Sequence, residues 1–279
     1  MSVIAIIGAG ALGGALAHKL AGRGRVAEIR LIDGAETIAR GKALDILQSG
    51  PVEGFATNLV AHGSILAATG ADVVVLADDA AGVEHAGEPA LMLVRQLVQA
   101  GCVAPLLFAG VEQRELMWRA VTELRVPVPR ILGSAPHALA SAVRAICALV
   151  VDASPVDVSL SVVGVPPRQA VVAWEGGSCA GRPLREVMGA HEIAAVAARI
   201  PGLWPPGPYA LGSAGARIAE ALCAGSRREF SCYVDAGRGR IAALPVRIGR
   251  GGIDRVLEPA LTSQERTMLE NALSISDKR

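Results

Sequence analysis

Short apolar runs alternate with amphipathic stretches through the first half of the chain. Ser2-Val3-Ile4-Ala5-Ile6-Ile7 leads into a glycine-rich turn and a helical pattern, and Ile29-Arg30-Leu31-Ile32 is a second apolar run that ends in Asp33. Ile38 to Gln48 has helical spacing. Ala71 to Ala77 is a continuous run rich in β-branched residues, as a parallel strand buried on both faces requires. Val103 to Ala109 repeats that pattern, Val111 to Leu124 reads as a helix, and Ile131-Leu132 makes a short strand before Gly133. Strands alternating with helices predict an α/β fold built on a doubly wound parallel sheet.

The pattern changes after Pro136. A long apolar helix, Ala138 to Val150, precedes strand-like Val156 to Val163 and Gln169 to Trp174. Glu229 to Val234 and Arg240 to Ile248 alternate as antiparallel ribbons do. Pro201 to Pro208 reads as a rigid loop, because its four prolines resist helix. Thr262-Ser263-Gln264-Glu265 is a capping box that opens a last helix. The expected organisation is therefore a parallel-sheet domain over residues 1–134 and a mixed α/β domain over 135–279.

Composition removes alternatives more than it adds them. Lys+Arg 27 against Asp+Glu 26 provides no electrostatic pull toward nucleic acid or an anionic membrane. Aromatic residues are only 3% against 52% hydrophobic overall, so the core must come from Ala, Val, Leu and Ile, which permit close helix–sheet packing. Cys102, Cys147, Cys179, Cys223 and Cys232 show neither a CxxC pair nor metal-ligand spacing, and no metal site is expected. A reduced, cytoplasmic setting follows from that usage. The opening apolar stretch is broken by glycines and lacks a basic leader, which argues against a signal peptide or membrane span.

The chemistry concentrates in Gly8-Ala9-Gly10-Ala11-Leu12-Gly13. A strand, a GxGxxG turn, a helix, a second strand and an acid about twenty residues on form the fingerprint of a dinucleotide cradle. Gly8 allows the tight turn, Gly10 a close approach of backbone to pyrophosphate, and Gly13 close helix–strand packing. Free amides at the helix start attract phosphate. Asp33 is placed to accept hydrogen bonds from a ribose diol, which favours NAD over NADP. The cofactor-binding set is thus Gly8, Ala9, Gly10, Ala11, Leu12, Gly13 and Asp33.

The whole chain resembles the lactate/malate dehydrogenase family, and among it the bacterial malate dehydrogenases. The resemblance is carried by Gly8 to Gly13, Leu31-Ile32-Asp33, Gly41 to Gln48, Ala71 to Leu76 and Arg130 to Gly133. It continues through Val156 to Gly164, Gly181 to Leu184, Arg247 to Ile253 and Leu261 to Leu269. It implies a Rossmann NAD-binding domain, a mixed α/β substrate domain, and assembly as a homodimer or homotetramer. It also implies hydride transfer between nicotinamide and a 2-hydroxy acid. That chemistry needs a histidine–aspartate pair for the proton and arginines for the carboxylate.

At the matching positions those groups are replaced. Gly164-Val165-Pro166-Pro167-Arg168 stands where the family's histidine turn lies, with Pro166 at the histidine. Ala138-Leu139-Ala140-Ser141-Ala142 stands at the aspartate and a substrate arginine. The family's mobile loop reads Asp78 to Glu88, with Gly82 and Glu88 at its two arginines. Arg95 falls at an asparagine, and Ala109-Gly110-Val111 at a Thr-Asn-Pro turn. No catalytic residue is assigned. The expectation is a pseudoenzyme: an NAD(H)-binding dinucleotide sensor, or a subunit in a hetero-oligomer with an active malate dehydrogenase.

The competing expectation is an active NAD-dependent oxidoreductase on another small substrate with relocated groups. His137 is either such a group or a helix cap. Glu84-His85 is either a new acid–base pair or a solvated loop, and Arg168 either an anion site or a surface side chain. A third expectation is a structural subunit that binds no nucleotide. His18, His62 and His191 read as surface or boundary residues, and the cysteines as core filling.

Overall fold

The structure is a computed structural model that describes residues 2–237 and 239–274. Its first half is β1 (Val3–Ile7), α1 (Ala11–Arg23), β2 (Glu28–Ile32), α2 (Glu36–Glu53), β3 (Asn58–His62), β4 (Val73–Leu76), α3 (Gly87–Gln99), β5 (Leu106–Phe108), α4 (Arg114–Thr122) and β6 (Ile131–Gly133). Then come α5 (Ala135–Val150), β7 (Val158–Ser159), β8 (Val162–Val165), β9 (Gln169–Val172), β10 (Ser178–Cys179), β11 (Arg182–Pro183), α6 (Leu184–Val187) and α7 (Ala190–Arg199). The chain closes with α8 (Pro208–Ala224), β12 (Glu229–Asp235), β13 (Ile241–Gly249), β14 (Gly252–Val256) and α9 (Ser263–Ser274).

One 11-stranded sheet runs β3-β2-β1-β4-β5-β6-β12-β13-β8-β9, with β14 beside β13. Pairing is parallel from β3 to β6 and antiparallel beyond. The first six strands have Rossmann order, so the strand order reverses between β1 and β4. That reversal leaves a crevice at the carboxyl ends of the strands, where such sheets bind ligands. Val73, Val74, Val75 and Leu76 are all fully buried, which explains the unbroken apolar run of β4.

The expected 134/135 division falls at the start of α5. The larger core nevertheless joins Ile4 through Ala138 to Leu211 through Ile248, while Leu139 to Ile200 contribute to a smaller one. The link is α8, which lies along α1. A Cβ at Gly212 would come within 3.0 Å of the Leu16 amide nitrogen, so the close approach needs glycine there.

Three expectations change locally. Val156 to Val163 divides into β7 and β8. Pro201 enters a 3-10 turn at Ile200–Leu203 and Pro208 opens α8, so the prolines only partly form a loop. In the first turn of a helix, proline lacks only an N–H that would have had no partner. His137 caps nothing; α5 begins at Ala135, with Pro136 in its first turn. The capping box does open α9: Thr262 N donates to Glu265 (2.9 Å) and Glu265 N to the Thr262 hydroxyl (3.2 Å).

Candidate functional site

The crevice begins where β1 ends. Gly8 has φ +108°, and a Cβ there would lie 2.2 Å from the Asp78 carbonyl oxygen. A Cβ at Gly13 would lie 2.1 Å from the Gly8 carbonyl. Both glycines are therefore required by the packing of turn, helix and β4, and the turn has the shape that the sequence implies. Gly8 through Gly13 and Asp33 are brought together around it.

The amides of that turn already have partners. Asp78, just beyond β4, is 6% exposed, and its carboxylate accepts from Leu12 N at 3.1 Å and Gly13 N at 2.9 Å. These are first-turn amides of α1, which no helical carbonyl can satisfy. Gly10 N donates to the Asp78 carbonyl at 3.0 Å. A Cβ at Gly10 would lie 2.3 Å from the Asp78 carboxyl, so the clearance expected there for pyrophosphate holds this side chain. On the outer side, Lys42 Nζ donates to the carbonyls of Ala9 and Gly10, both at 2.7 Å.

Asp33 also turns inward. It accepts from Ala9 N (2.9 Å), Ala35 N (2.9 Å) and Ala80 N (2.8 Å), and is 8% exposed. It therefore has a structural task at the strand end besides any hydrogen bond to a ribose. Beside it opens a cleft of about 540 Å³ whose lining includes Gly34, Ser64, Asp79, His85 and Gln96. The space beside Asp33 is thus open, and the space beside Gly10 is filled by Asp78.

The loop after β4 is tied down by its own acids. Asp79 accepts from Ala81 N and Val83 N, both at 2.9 Å. Glu84 accepts from Val111 N (3.0 Å) and Glu112 N (2.8 Å), fixing the loop to the turn before α4. A carboxylate held this way is a clamp, and it pairs with no histidine. Burial holds the His85 imidazole below its ordinary range, against the opposing pull of Asp79, Asp33 and Asp78. Its Nε2 is buried with no hydrogen bond.

The start of α5 and the turn after β8 hold the next candidates. Pro166 is buried in the turn between β8 and β9, and Arg168 is exposed there. His137 packs edge-on against Phe230, with ring centroids 5.0 Å apart and planes at 80°. Burial, with Arg144 and Arg217 adding to it, lowers its pKa to about 4. No carboxylate opposes that shift, so the imidazole is neutral at pH 7. His18 and His191 are exposed, and His62 is half-buried at the end of β3. Burial pushes the Cys147 thiol up to about 11 and Cys223 to about 12, which leaves little reactive thiolate.

Asp78 and Lys42 are the residues whose roles sequence reasoning missed. A usable signal existed: Asp78 follows a fully buried strand that neighbours β1, and its side chain must therefore emerge beside the glycine turn. Among the described residues there is no group of three or more His, Cys, Asp or Glu able to hold a metal, and no helix is long and apolar enough to cross a membrane.

Comparison with known proteins agrees with this architecture. Residues 2–98 match the model of the lactate/malate dehydrogenase NAD-binding domain. Malate dehydrogenase of Thermomicrobium roseum is 28% identical over 96% of this chain and 94% of its own length. That of Neorickettsia sennetsu is 26% identical over 99% and 96%. Malate dehydrogenase of Salinibacter ruber superposes with a TM-score of 0.85 at 22% identity, covering 97% of this chain and 94% of that one. Lactate dehydrogenase of Cryptosporidium parvum, solved with lactic acid and NAD, also reaches 0.85, at 20% identity over 98% and 94%. A glycine turn matched in sequence, a fold matched at a TM-score of 0.85 and relatives matched over nearly their full length agree: the chain is similar throughout to the lactate/malate dehydrogenases, and its first third matches their NAD-binding domain.

Proposed function

We propose that this chain is an NAD(H)-binding relative of malate dehydrogenase that does not carry out 2-hydroxy-acid dehydrogenation. It would serve in the cytoplasm as a dinucleotide sensor, or as a homo-oligomer or partner subunit of an active malate dehydrogenase. The observation that carries this reading is the chemistry under α5. There a proton donor with a carboxylate partner is needed, and the structure has neutral His137 against Phe230, with Pro166 buried in the turn after β8. A buried imidazole with no carboxylate to oppose the cost of burial stays neutral through the physiological range and cannot shuttle a proton there. Binding of NAD is supported by the NAD-binding-domain match of residues 2–98 and by the cleft of about 540 Å³ beside Asp33. A preserved self-complementary interface accepts a paralogue as readily as a second copy.

Two measurements test it. Titration with NADH should show binding, and its absence would sink the cofactor reading. A spectrophotometric assay with malate, lactate and their keto acids should show no turnover above background, and sustained malate oxidation would refute the loss of catalysis.

One observation favours a second reading, an active oxidoreductase on another small substrate. Unpartnered His85 Nε2 lies beside the cleft that holds Asp33 and Asp79. Any turnover found in a wider screen of aldehydes, imines and keto acids should then vanish in His85→Gln. Activity that survives the substitution would remove His85 from the chemistry.

A further inference from the structure

The phosphate side of the cradle holds something that the proposed function does not use. Two first-turn amides of α1, those of Leu12 and Gly13, point at the place where an anion binds best. Both donate to one carboxylate, which the chain supplies itself. We propose that Asp78 is an internal occupant of the phosphate seat, so that the cleft accepts the nucleoside end of a dinucleotide as it stands and the pyrophosphate only once Asp78 has left. This rests on the NAD(H)-binding reading and deepens it by naming the residue that sets affinity.

Space, charge and connection each support this. The room beside Gly10 is filled by the Asp78 carboxyl, so no phosphate oxygen fits while it is there. A pyrophosphate entering beside a seated carboxylate would put two anions on the same amides, with Asp33 and Asp79 close by in the cleft. The Lys42 ammonium is committed to the Ala9 and Gly10 carbonyls of the turn. Asp33 Oδ2 bridges Ala9 N to Ala80 N, stitching the turn to the segment that carries Asp78. Departure of Asp78 therefore loosens a joined pair of loops.

The cleft that remains, about 540 Å³ beside Asp33, Gly34, Ser64 and Gln96, lies outside this plug and suits an uncharged nucleoside. If the seated state holds nine-tenths or more of the population, apparent NADH affinity falls at least about tenfold from its intrinsic value. The residue thus discriminates between ligands with a pyrophosphate and ligands without one.

The test is calorimetric titration of wild type, Asp78→Ala and Asp78→Asn with NADH and with adenosine, plus melting curves in inorganic pyrophosphate. Both variants should bind NADH at least tenfold more tightly than wild type, with adenosine affinity within about twofold throughout. Pyrophosphate should raise the melting temperature of Asp78→Ala and leave wild type unmoved. Should the alanine variant fold poorly, Asp78→Asn keeps the shape and removes the charge, and carries the comparison. Equal NADH affinity in wild type and variants overturns the plug and leaves dinucleotide binding intact. Weaker NADH binding in the variants, or adenosine tightening in step with NADH, overturns it as well. Binding of neither ligand by any of the proteins overturns both the plug and the reading beneath it.

Discussion

At the glycine turn, Asp33 and Asp78 are almost buried, yet their carboxylates are matched to five backbone amides, those of Ala9, Leu12, Gly13, Ala35 and Ala80. Under α5, His137 meets an aromatic edge and lies in the field of Arg144 and Arg217. The first region surrounds its carboxylates with backbone donors; the second has a base that burial neutralises. Buried charge survives where hydrogen bonds replace water, and a lone imidazole in apolar surroundings gives up its proton instead. Carboxylates are thus fully partnered at the glycine turn, while the imidazole under α5 packs against an aromatic edge.

The largest expected effect lies in the turn. Gly13→Ala should cost about 3 kcal/mol or more, because its Cβ would meet the Gly8 carbonyl, which is backbone and shifts only at a cost. Gly22→Ala, in the same helix with nothing within 4 Å, should instead stabilise by about 0.5–1 kcal/mol. Urea melts of the pair separate packing from helix propensity, and equal effects would break the argument for the turn.

The next effect belongs to His137. Its folded pKa of about 4 lies below the ordinary 6.5, so the unfolded chain binds more protons between those values. Its contribution is whole above pH 6.5 and is lost as pH falls toward 4. The loss amounts to up to about 3 kcal/mol, less for the part of the ring still in solvent. His85 shifts in the same direction and adds to it. Denaturation at pH 7 and pH 4.5 should show that slope, and His137→Phe should flatten it; an unchanged slope would mean that the ring is better hydrated than its packing indicates.

The smallest effect falls on the loop between the two regions. Glu84→Ala removes the acceptor for Val111 N and Glu112 N and should cost about 1–2 kcal/mol. Amide exchange across residues 78–86 should rise with it. No rise would show that Asp79 alone holds the loop.

Much of this was legible in the chain. The glycine spacing, the buried runs of β1 and β4 and the acid after β2 follow from local chemistry, and so does the capping box at α9. The edge strand β3 was not visible, since Asn58-Leu59-Val60-Ala61-His62 has little apolar signal. Helix α8 was hidden by Gly212 and Gly215, which weaken helix propensity but let α8 lie against α1. The role of Asp78 could not be read locally because its partners are 65 and 66 positions away. Acid in a loop reads as solvated until the strand order places it.

The packing of α8 on α1 also bears on how the molecule comes apart. Residues 211–222 sit in the same core as β1 and β4, and β6 meets β12 at Gly133 and Tyr233. A fragment ending at residue 134 would leave the outer face of α1 bare and the sheet edge at β6 open. The two halves should therefore melt in one cooperative transition, with no autonomous nucleotide-binding module to be cut free by proteolysis.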